Sequence, residues 1–334
     1  MAGKKIAIDL GTANSLVAVQ GKGIVLREPT VVAISVDDRK ILAVGQEAKE
    51  MLGKVPGNII ARRPMKQGVI ASYKLTEALV SYLIAKGLGH NKFFKPEVMI
   101  SVPAGITSVE ERAVIEAVVQ GGAGKVFLIP EPIAAAIGAK MPVSTSAGNM
   151  IVNMGGGTSE IAVISMNGIV TFESKRVGGD ALNEAIINYI RRKYDLFIGE
   201  QMAEMLKMKI GSAEYMDKPL VLEVKGRDSK SGLPRAVEVN SNDIVEAVRP
   251  VLNQIIAAIK TVLENTPPEL AADIIDRGMV LSGGTALLRK IDDLFTKAIG
   301  VPAHVVERPL EAVVNGILEA LEHLDVIKRN LKNG

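Results

Sequence analysis

Residues 150–166 read MIVNMGGGTSEIAVISM. An apolar run, Ile151-Val152, ends in the short polar residue Asn153. Gly155, Gly156 and Gly157 follow, then Thr158 and Ser159, then a second apolar run from Ile161 to Ile164. Strand, glycine turn and returning strand make a hairpin whose tip is nearly all backbone. Glycine lets such a tip fold tightly and approach a ligand, and its consecutive N–H groups can cradle an anion. The same residues suit an ordinary tight hairpin, since glycine-rich loops are common. Taken alone, the stretch leaves both readings open.

A second copy favours the cradle. Ile8-Asp9-Leu10-Gly11-Thr12-Ala13-Asn14-Ser15-Leu16-Val17-Ala18-Val19 lies over Val152–Val163 without a gap. Both copies run on into a glycine turn and an Ile-Val pair, Gly23-Ile24-Val25 and Gly168-Ile169-Val170. The separation is too long for a solenoid repeat and reads as two related domains, each offering a hairpin tip. Two facing tips would pinch one phosphate chain in the cleft between the domains, where ligands prefer to bind. A third strand-to-glycine turn, Met279-Val280-Leu281-Ser282-Gly283-Gly284-Thr285, is expected to open a helix from Ala286 to Ile299. Its N-terminus would offer N–H donors; a plain strand–helix corner is the alternative.

Outward from these turns, strands alternate with helices, which predicts an α/β sheet architecture with mostly buried strands. Residues 33–75 read as a small irregular insertion, and Lys218 to Val239 as a second one. Thr76 is expected to cap a helix through Lys86, Ser108 with Glu111 to form a capping box, Asp180 to cap a helix to Tyr194, and Ser241 to cap a long helix kinked at Pro250. Glu200 to Ile210 reads as helix, and Thr266-Pro267-Pro268 as a linker.

Composition narrows the chemistry. The 334 residues suffice for two domains and a sizeable core. Lys+Arg 40 against Asp+Glu 37 leaves a net charge of +3, without the basic, aromatic-laced clusters of a nucleic-acid binder. Cysteine is absent, which excludes disulfides, thiol catalysis and Cys-ligated zinc. His90, His304 and His323 are too widely spaced to suggest a metal site. No apolar run approaches the ~20 residues of a membrane span, and the N-terminus lacks a signal-peptide pattern. The expected compartment is the cytoplasm.

Two hairpins and a late glycine turn resemble the phosphate-1, phosphate-2 and adenosine motifs of the actin/Hsp70/sugar-kinase superfamily. Within it the chain resembles the MreB family of bacterial actins over nearly its whole length. The resemblance is carried by IDLGTANSLV, GKGIVLREPTVVA, RPMKQGVIA, SVEERAVIEA, EPIAAAIGA, GGGTSEIAVIS, VGGDALNEAIINYIRRKY, TPPELAADIIDRGMVLSGG and ALLRKID. It implies an actin-like ATPase fold with four subdomains: IA (1–32, 76–146 and 312–334), IB (33–75), IIA (147–180 and 248–311) and IIB (181–247). It implies ATP or ADP with Mg²⁺ in the cleft. By motif, Gly11, Thr12, Ala13 and Asn14 would meet the phosphates from one side and Gly155, Gly156 and Gly157 from the other. Glu204, Met205, Leu206 and Lys207 would flank the ribose, and Gly283, Gly284, Thr285 and Ala286 would wall the adenine. Asp9 stands where the family holds magnesium through water, a pattern that suits an ion that keeps its waters. Glu131 stands where the attacking water is polarised, with Thr158 beside it.

The chain departs from the family in places. Asn153 replaces the aspartate that normally begins the second hairpin, removing a negative charge from the metal side. Hydrolysis is therefore expected to be slow, and Asn153→Asp to raise phosphate release. Pro130-Glu131-Pro132 replaces Glu-Glu-Pro, Thr285 stands for a third glycine, Lys209 for a glutamate, and a late glycine-rich segment reads Val314-Asn315-Gly316-Ile317.

The family resemblance implies filaments of paired antiparallel protofilaments on the inner face of the cytoplasmic membrane, working with integral membrane proteins of wall elongation. A sugar kinase and an Hsp70-type chaperone are rivals on the same fold. Short insertions without a spare base aspartate speak against the first, and the end of the chain after the last nucleotide-domain helix against the second. Some relatives bind membrane through a hydrophobic loop and others through an N-terminal amphipathic helix. Here Met1 to Lys5 is too short for that helix, which leaves Phe93-Phe94, flanked by Lys92 and Lys95. The rings either enter the lipid boundary or fold back on the core.

Overall fold

Strand residues here alternate between two buried faces. In Lys5–Leu10, Ile6, Ile8 and Leu10 join one core and Ala7 another; in Asn149–Met154, Met150, Val152 and Met154 join one core and Ile151 another. That period of two, apolar on both sides, marks strands covered on both faces. A computed structural model describes residues 4–89 and 95–324. Phe93 and Phe94 lie outside the described residues.

Two five-stranded sheets carry the fold. The first runs Lys125–Pro130, Glu97–Val102, Lys5–Leu10, Asn14–Val19, Gly23–Pro29; the second runs Ala303–Val305, Met279–Ser282, Asn149–Met154, Ser159–Ser165, Gly168–Lys175. Both have the same pairing pattern: parallel, parallel, antiparallel, antiparallel. The repeat extends to register. Ile8 pairs Val17 and Leu10 pairs Ser15, as Val152 pairs Ile161 and Met154 pairs Ser159. The gap-free match in sequence is thus a match in three dimensions, and the fold is actin-like α/β.

The inner faces of the two sheets share one core. Ala7, Ala18, Ile151, Ala162 and Ile164 meet there around the helices Glu131–Gly138 and Ala312–Glu322. The outer face of the first sheet is covered by Tyr73–Leu88 and Ser108–Gln120, that of the second by Gly179–Tyr194, Ser241–Glu264 and Ile291–Ile299.

Several local expectations shift. Residues 33–75 are not irregular: Val32–Ser35, Ile41–Val44 and Ile59–Arg62 form a three-stranded sheet whose small core, Val31, Ala33, Ala43 and Ala48, includes the helix Gln46–Met51. The second insertion is the hairpin Val221–Asp228 with Pro234–Asn240, joined by Leu196–Phe197. Thr76 is not a cap; its helix starts at Tyr73, and its hydroxyl donates back to Ser72 O. The capping box is Thr107 with Glu110, one residue early, because the Ser/Thr-x-x-Glu spacing is satisfied twice in TSVEE. Gly178 rather than Asp180, and Asn240 rather than Ser241, precede their helices. The expected linker Thr266-Pro267-Pro268 runs straight into a helix, Pro268–Arg277, with proline in its first turn, a position where the missing N–H costs nothing. Behind the third glycine turn the α-helix begins at Ile291, not Ala286. Gly284–Leu287 is a 3₁₀ turn, and Lys290 at φ 59° breaks the chain direction.

Candidate functional site

The two hairpin tips touch. A Cβ added to Gly156 would lie 2.6 Å from the Ala13 Cβ, and one on Gly157 would lie 2.5 Å from Thr12 Oγ1. Each tip is held at its first glycine by a threonine hydroxyl from another segment. Thr30 Oγ1 donates to Gly11 O at 2.7 Å, and Thr285 Oγ1 donates to Gly155 O at 3.1 Å. The carbonyls of Gly155 and Gly156 also accept from Gly179 and Asp180 N–H, at 3.0 and 2.8 Å. A trans peptide points its N–H opposite its carbonyl. The N–H groups of Gly156 and Gly157 are therefore turned away from the helix Gly179–Tyr194, as an anion cradle requires. Asn14 is exposed at the start of its strand.

Carboxylates gather beneath the tips. Asp9 accepts from Ser101 Oγ at 3.4 Å, and burial pushes its carboxyl up to about 7. Glu131 opens the helix Glu131–Gly138 and accepts from Asn153 Nδ2 at 2.7 Å. Burial, then Glu160, then Asp9, push its carboxyl well above the ordinary range. Glu160 is 1 % exposed and accepts from Ala104 N at 3.2 Å and from the Ser174 hydroxyl. Burial pushes it up as well. Thr12 and Thr158 are buried. Gly68, at φ 77°, sits over them: its N–H donates to Thr12 Oγ1 at 3.2 Å, and a Cβ there would lie 2.9 Å from Thr158 Cγ2. A cavity of about 300 Å³ is lined by Thr12, Thr158, Glu131 and the three glycines on one side.

The remaining expected residues divide. Glu204 and Lys207 face the cleft region: Glu204 pairs with Lys49 Nζ at 3.0 Å, and Lys207 Nζ donates to Gly179 O at 2.9 Å. Desolvation lowers the Lys207 pKa, so a neighbouring anion would stabilise its charge. Met205 is half-buried. Leu206 and Ala286 instead join the second sheet's outer core, at 0 % and 2 % exposure. Gly283 takes φ 83° against the Met154 backbone, where a Cβ would lie 2.3 Å from Met154 O. Gly284 and Thr285 follow it in the 3₁₀ turn.

Sequence reading missed Glu160, Ser282, Lys49, Arg63 and Glu200. Glu160 had a signal: it interrupts an apolar strand where the first copy has Leu16. Arg63 Nη2 pairs with Glu200 at 2.7 Å, and its Nη1 lies 3.7 Å from Asp180 and 3.4 Å from Thr12 O. Those contacts join residues 63 and 200 across the cleft, a distance in sequence that no local pattern exposes.

Comparison with known proteins agrees with this architecture. The MreB/Mbl protein family model matches residues 3–329. The chain is 51% identical over 327 residues to the cell shape-determining protein MreB of Escherichia coli strain K12, covering 96% of this chain and 94% of that protein. It is 47% identical over 332 residues to Mbl of Bacillus subtilis strain 168, covering 99% and 100%. The crystal structure of MreB5 of Spiroplasma citri bound to AMPPNP superposes with a TM-score of 0.93 at 32% identity, covering 99% of each chain. The duplicated sheets, the paired glycine tips and these similarities together place the chain in the MreB/Mbl family.

Proposed function

We propose that the chain binds ATP or ADP with Mg²⁺ between its hairpin tips and polymerises on the inner face of the cytoplasmic membrane to direct cell shape and wall synthesis. The observation that carries this is the tip-to-tip meeting of Gly11–Asn14 with Gly155–Gly157 above converging carboxylates. The nucleotide-bound crystal structure of the similar MreB5 and the cell shape-determining role named for the curated relatives support it. The four-subdomain division given above is part of the same proposal, as are paired antiparallel protofilaments and integral membrane partners of wall elongation.

The residues fit the proposed groups. Lys207 is a desolvated cation whose ammonium donates to a carbonyl, Gly179 O, and an anion beside it completes its surroundings. Asp9 is one carboxylate beside the first tip, and among the described residues no group of three or more His, Asp or Glu could hold a metal ion alone. That suits Mg²⁺, which takes one or two carboxylates when phosphates supply the rest. Bound there, magnesium would neutralise developing phosphate charge. Glu204, Met205 and Lys207 flank the sugar, and Gly283, Gly284 and Thr285 border the base; Leu206 and Ala286 support from the core. Glu131 orients the attacking water, with Thr158 beside it, and Asn153 acts on Glu131.

Gly155 offers the cleanest test. A Cβ there meets only Thr158 O at 3.4 Å, an ordinary contact, whereas a valine at Gly156 would strike Ala13. Gly155→Val is expected to fold, by circular dichroism, yet lose a fluorescent ATP analogue that the parent binds with magnesium. Undiminished affinity in that variant removes the phosphate assignment. Pelleting of the parent with ATP tests the filament. For the membrane, Phe93→Ser with Phe94→Ser is expected to abolish co-sedimentation with anionic liposomes and spare nucleotide binding; equal pelleting would return the rings to the core.

A further inference from the structure

A polar row crosses the second sheet beneath its glycine tip. Ser282, Asn153, Glu160 and Ser174 pair in register on four adjacent strands. Directly paired residues project from the same face. Ser282 Oγ donates to Asn153 Oδ1 at 2.8 Å, and Asn153 Nδ2 donates to Glu131 Oε1 at 2.7 Å. Ser282 is fully buried and Asn153 is 2 % exposed, so water does not compete for these bonds. The amide oxygen is taken by the serine hydroxyl, which turns the amide nitrogen, a donor only, toward Glu131.

The first sheet repeats the couple. Ser101, on the strand parallel to Lys5–Leu10, donates to Asp9 at 3.4 Å just as Ser282 donates to Asn153. Each half keeps a serine that aims the residue at the strand end. The halves differ in what is aimed: an acid in the first and an amide in the second. Asp9 accepts from its serine, whereas the amide both accepts from its serine and passes a hydrogen bond onward to Glu131.

We infer that Ser282 and Asn153 form a positioning couple for Glu131: the serine fixes the amide, and the amide donates to the glutamate and sets where its carboxylate points. The inference rests on the reading of the cleft as an ATP-hydrolysing site. It reverses the charge argument made from sequence, in which aspartate at 153 raises turnover. An aspartate there would place two carboxylates at hydrogen-bond distance, and two such groups do not both ionise. Burial and the neighbouring Glu160 and Asp9 already oppose the ionised form of Glu131, and the Asn153 bond counters them.

The test measures phosphate release and fluorescent ATP-analogue affinity on the full chain carrying Ser282→Ala, Ser282→Thr or Asn153→Asp. Loss of one positioning contact is expected to lower kcat about tenfold, with analogue affinity and KM within about twofold of the parent. Ser282→Thr, which keeps the hydroxyl, is expected to restore most of the turnover lost in Ser282→Ala. Asn153→Asp is expected to fall as well. Parent-like turnover in Ser282→Ala, no rescue by Ser282→Thr, or a rise in Asn153→Asp overturns the inference. Should Ser282→Ala fail to fold, the direction of the Asn153→Asp change decides. A parent that binds the analogue but releases no phosphate overturns the inference and leaves nucleotide binding standing; a parent that does not bind overturns both.

Discussion

Glu160 shows what a single residue's surroundings add to its identity. In the repeat it matches Leu16, yet its carboxylate is buried between Ala104 N, from the first sheet's side, and Ser174 of its own sheet. Burial raises its pKa above the ordinary 4.5. The folded chain therefore holds a proton there that the unfolded chain releases as pH rises past 4.5. Stability from this group is complete below that value and is lost as pH climbs through the raised folded pKa. Glu160→Gln has no charge to desolvate, so its melting temperature relative to the parent is expected to be higher at pH 8 than at pH 5. A pH-independent difference in thermal melts would show that the carboxylate is not strained by burial. The residue types at the hairpin tips were legible in the sequence, but not the partners of Glu160, since Ala104 lies 56 positions away.

At the scale of elements, the crossing of Glu131–Gly138 with Ala312–Glu322 sets the shared core between the sheets. The helices approach at Gly138 and Gly316. A Cβ on Gly138 would lie 1.8 Å from Ala312 O, and one on Gly316 would lie 1.8 Å from Ala134 O. No side chain fits without separating the helices. Gly316→Ala is expected to cost about 2–4 kcal/mol in urea unfolding, beyond what helix propensity alone would give back. An unchanged midpoint would mean that the helices slide apart freely. Removing the cap by Thr107→Ala should cost about 1 kcal/mol by the same measurement. Most helices and strands were readable from periodicity; Pro268–Arg277 was not. Pro267 before it and Pro268 at its first position read as a break, and of its residues only Ile274 is buried, so its apolar signal is thin. The third glycine turn misled in the opposite direction. Its apolar pattern continues through Leu287 and Leu288, but the backbone needs a left-handed residue at Lys290 before a helix can start.

Across the whole molecule, the first insertion meets the helix Glu200–Ile210 over the cleft. Lys49 pairs with Glu204 at 3.0 Å, Gln201 Nε2 donates to Lys49 O at 3.4 Å, and Arg63 joins Glu200 at 2.7 Å. Arg63 also reaches the carbonyl of Thr12 in the first tip, so the contact spans from the rim to the phosphate loop. These partly exposed pairs are individually weak and salt-sensitive. Lys49→Ala with Arg63→Ala is expected to release a bound fluorescent nucleotide faster, by about threefold to tenfold. Added salt should speed release in the parent more than in the variant. Equal release rates by stopped flow would mean that the rim contacts do not govern exit.

The sequence by itself determined the duplicated hairpins, the strand and helix alternation and the family, because these are written in local spacing: glycine where backbone must turn, apolar residues every second position on strands, and a repeat that aligns without a gap. The family resemblance in turn singled out Asp9, Glu131, Thr12 and Thr158. Only the tertiary structure decided which side chains share the cleft. Leu206 and Ala286 fell to the core because helix Glu200–Ile210 and the 3₁₀ turn each present one face to the second sheet's packing. Ser282 reached Asn153 across 129 positions, and Arg63 reached Glu200 across 137. Hydrogen bonds and ion pairs of that span form only after the chain has closed its sheets, so no local pattern carries them.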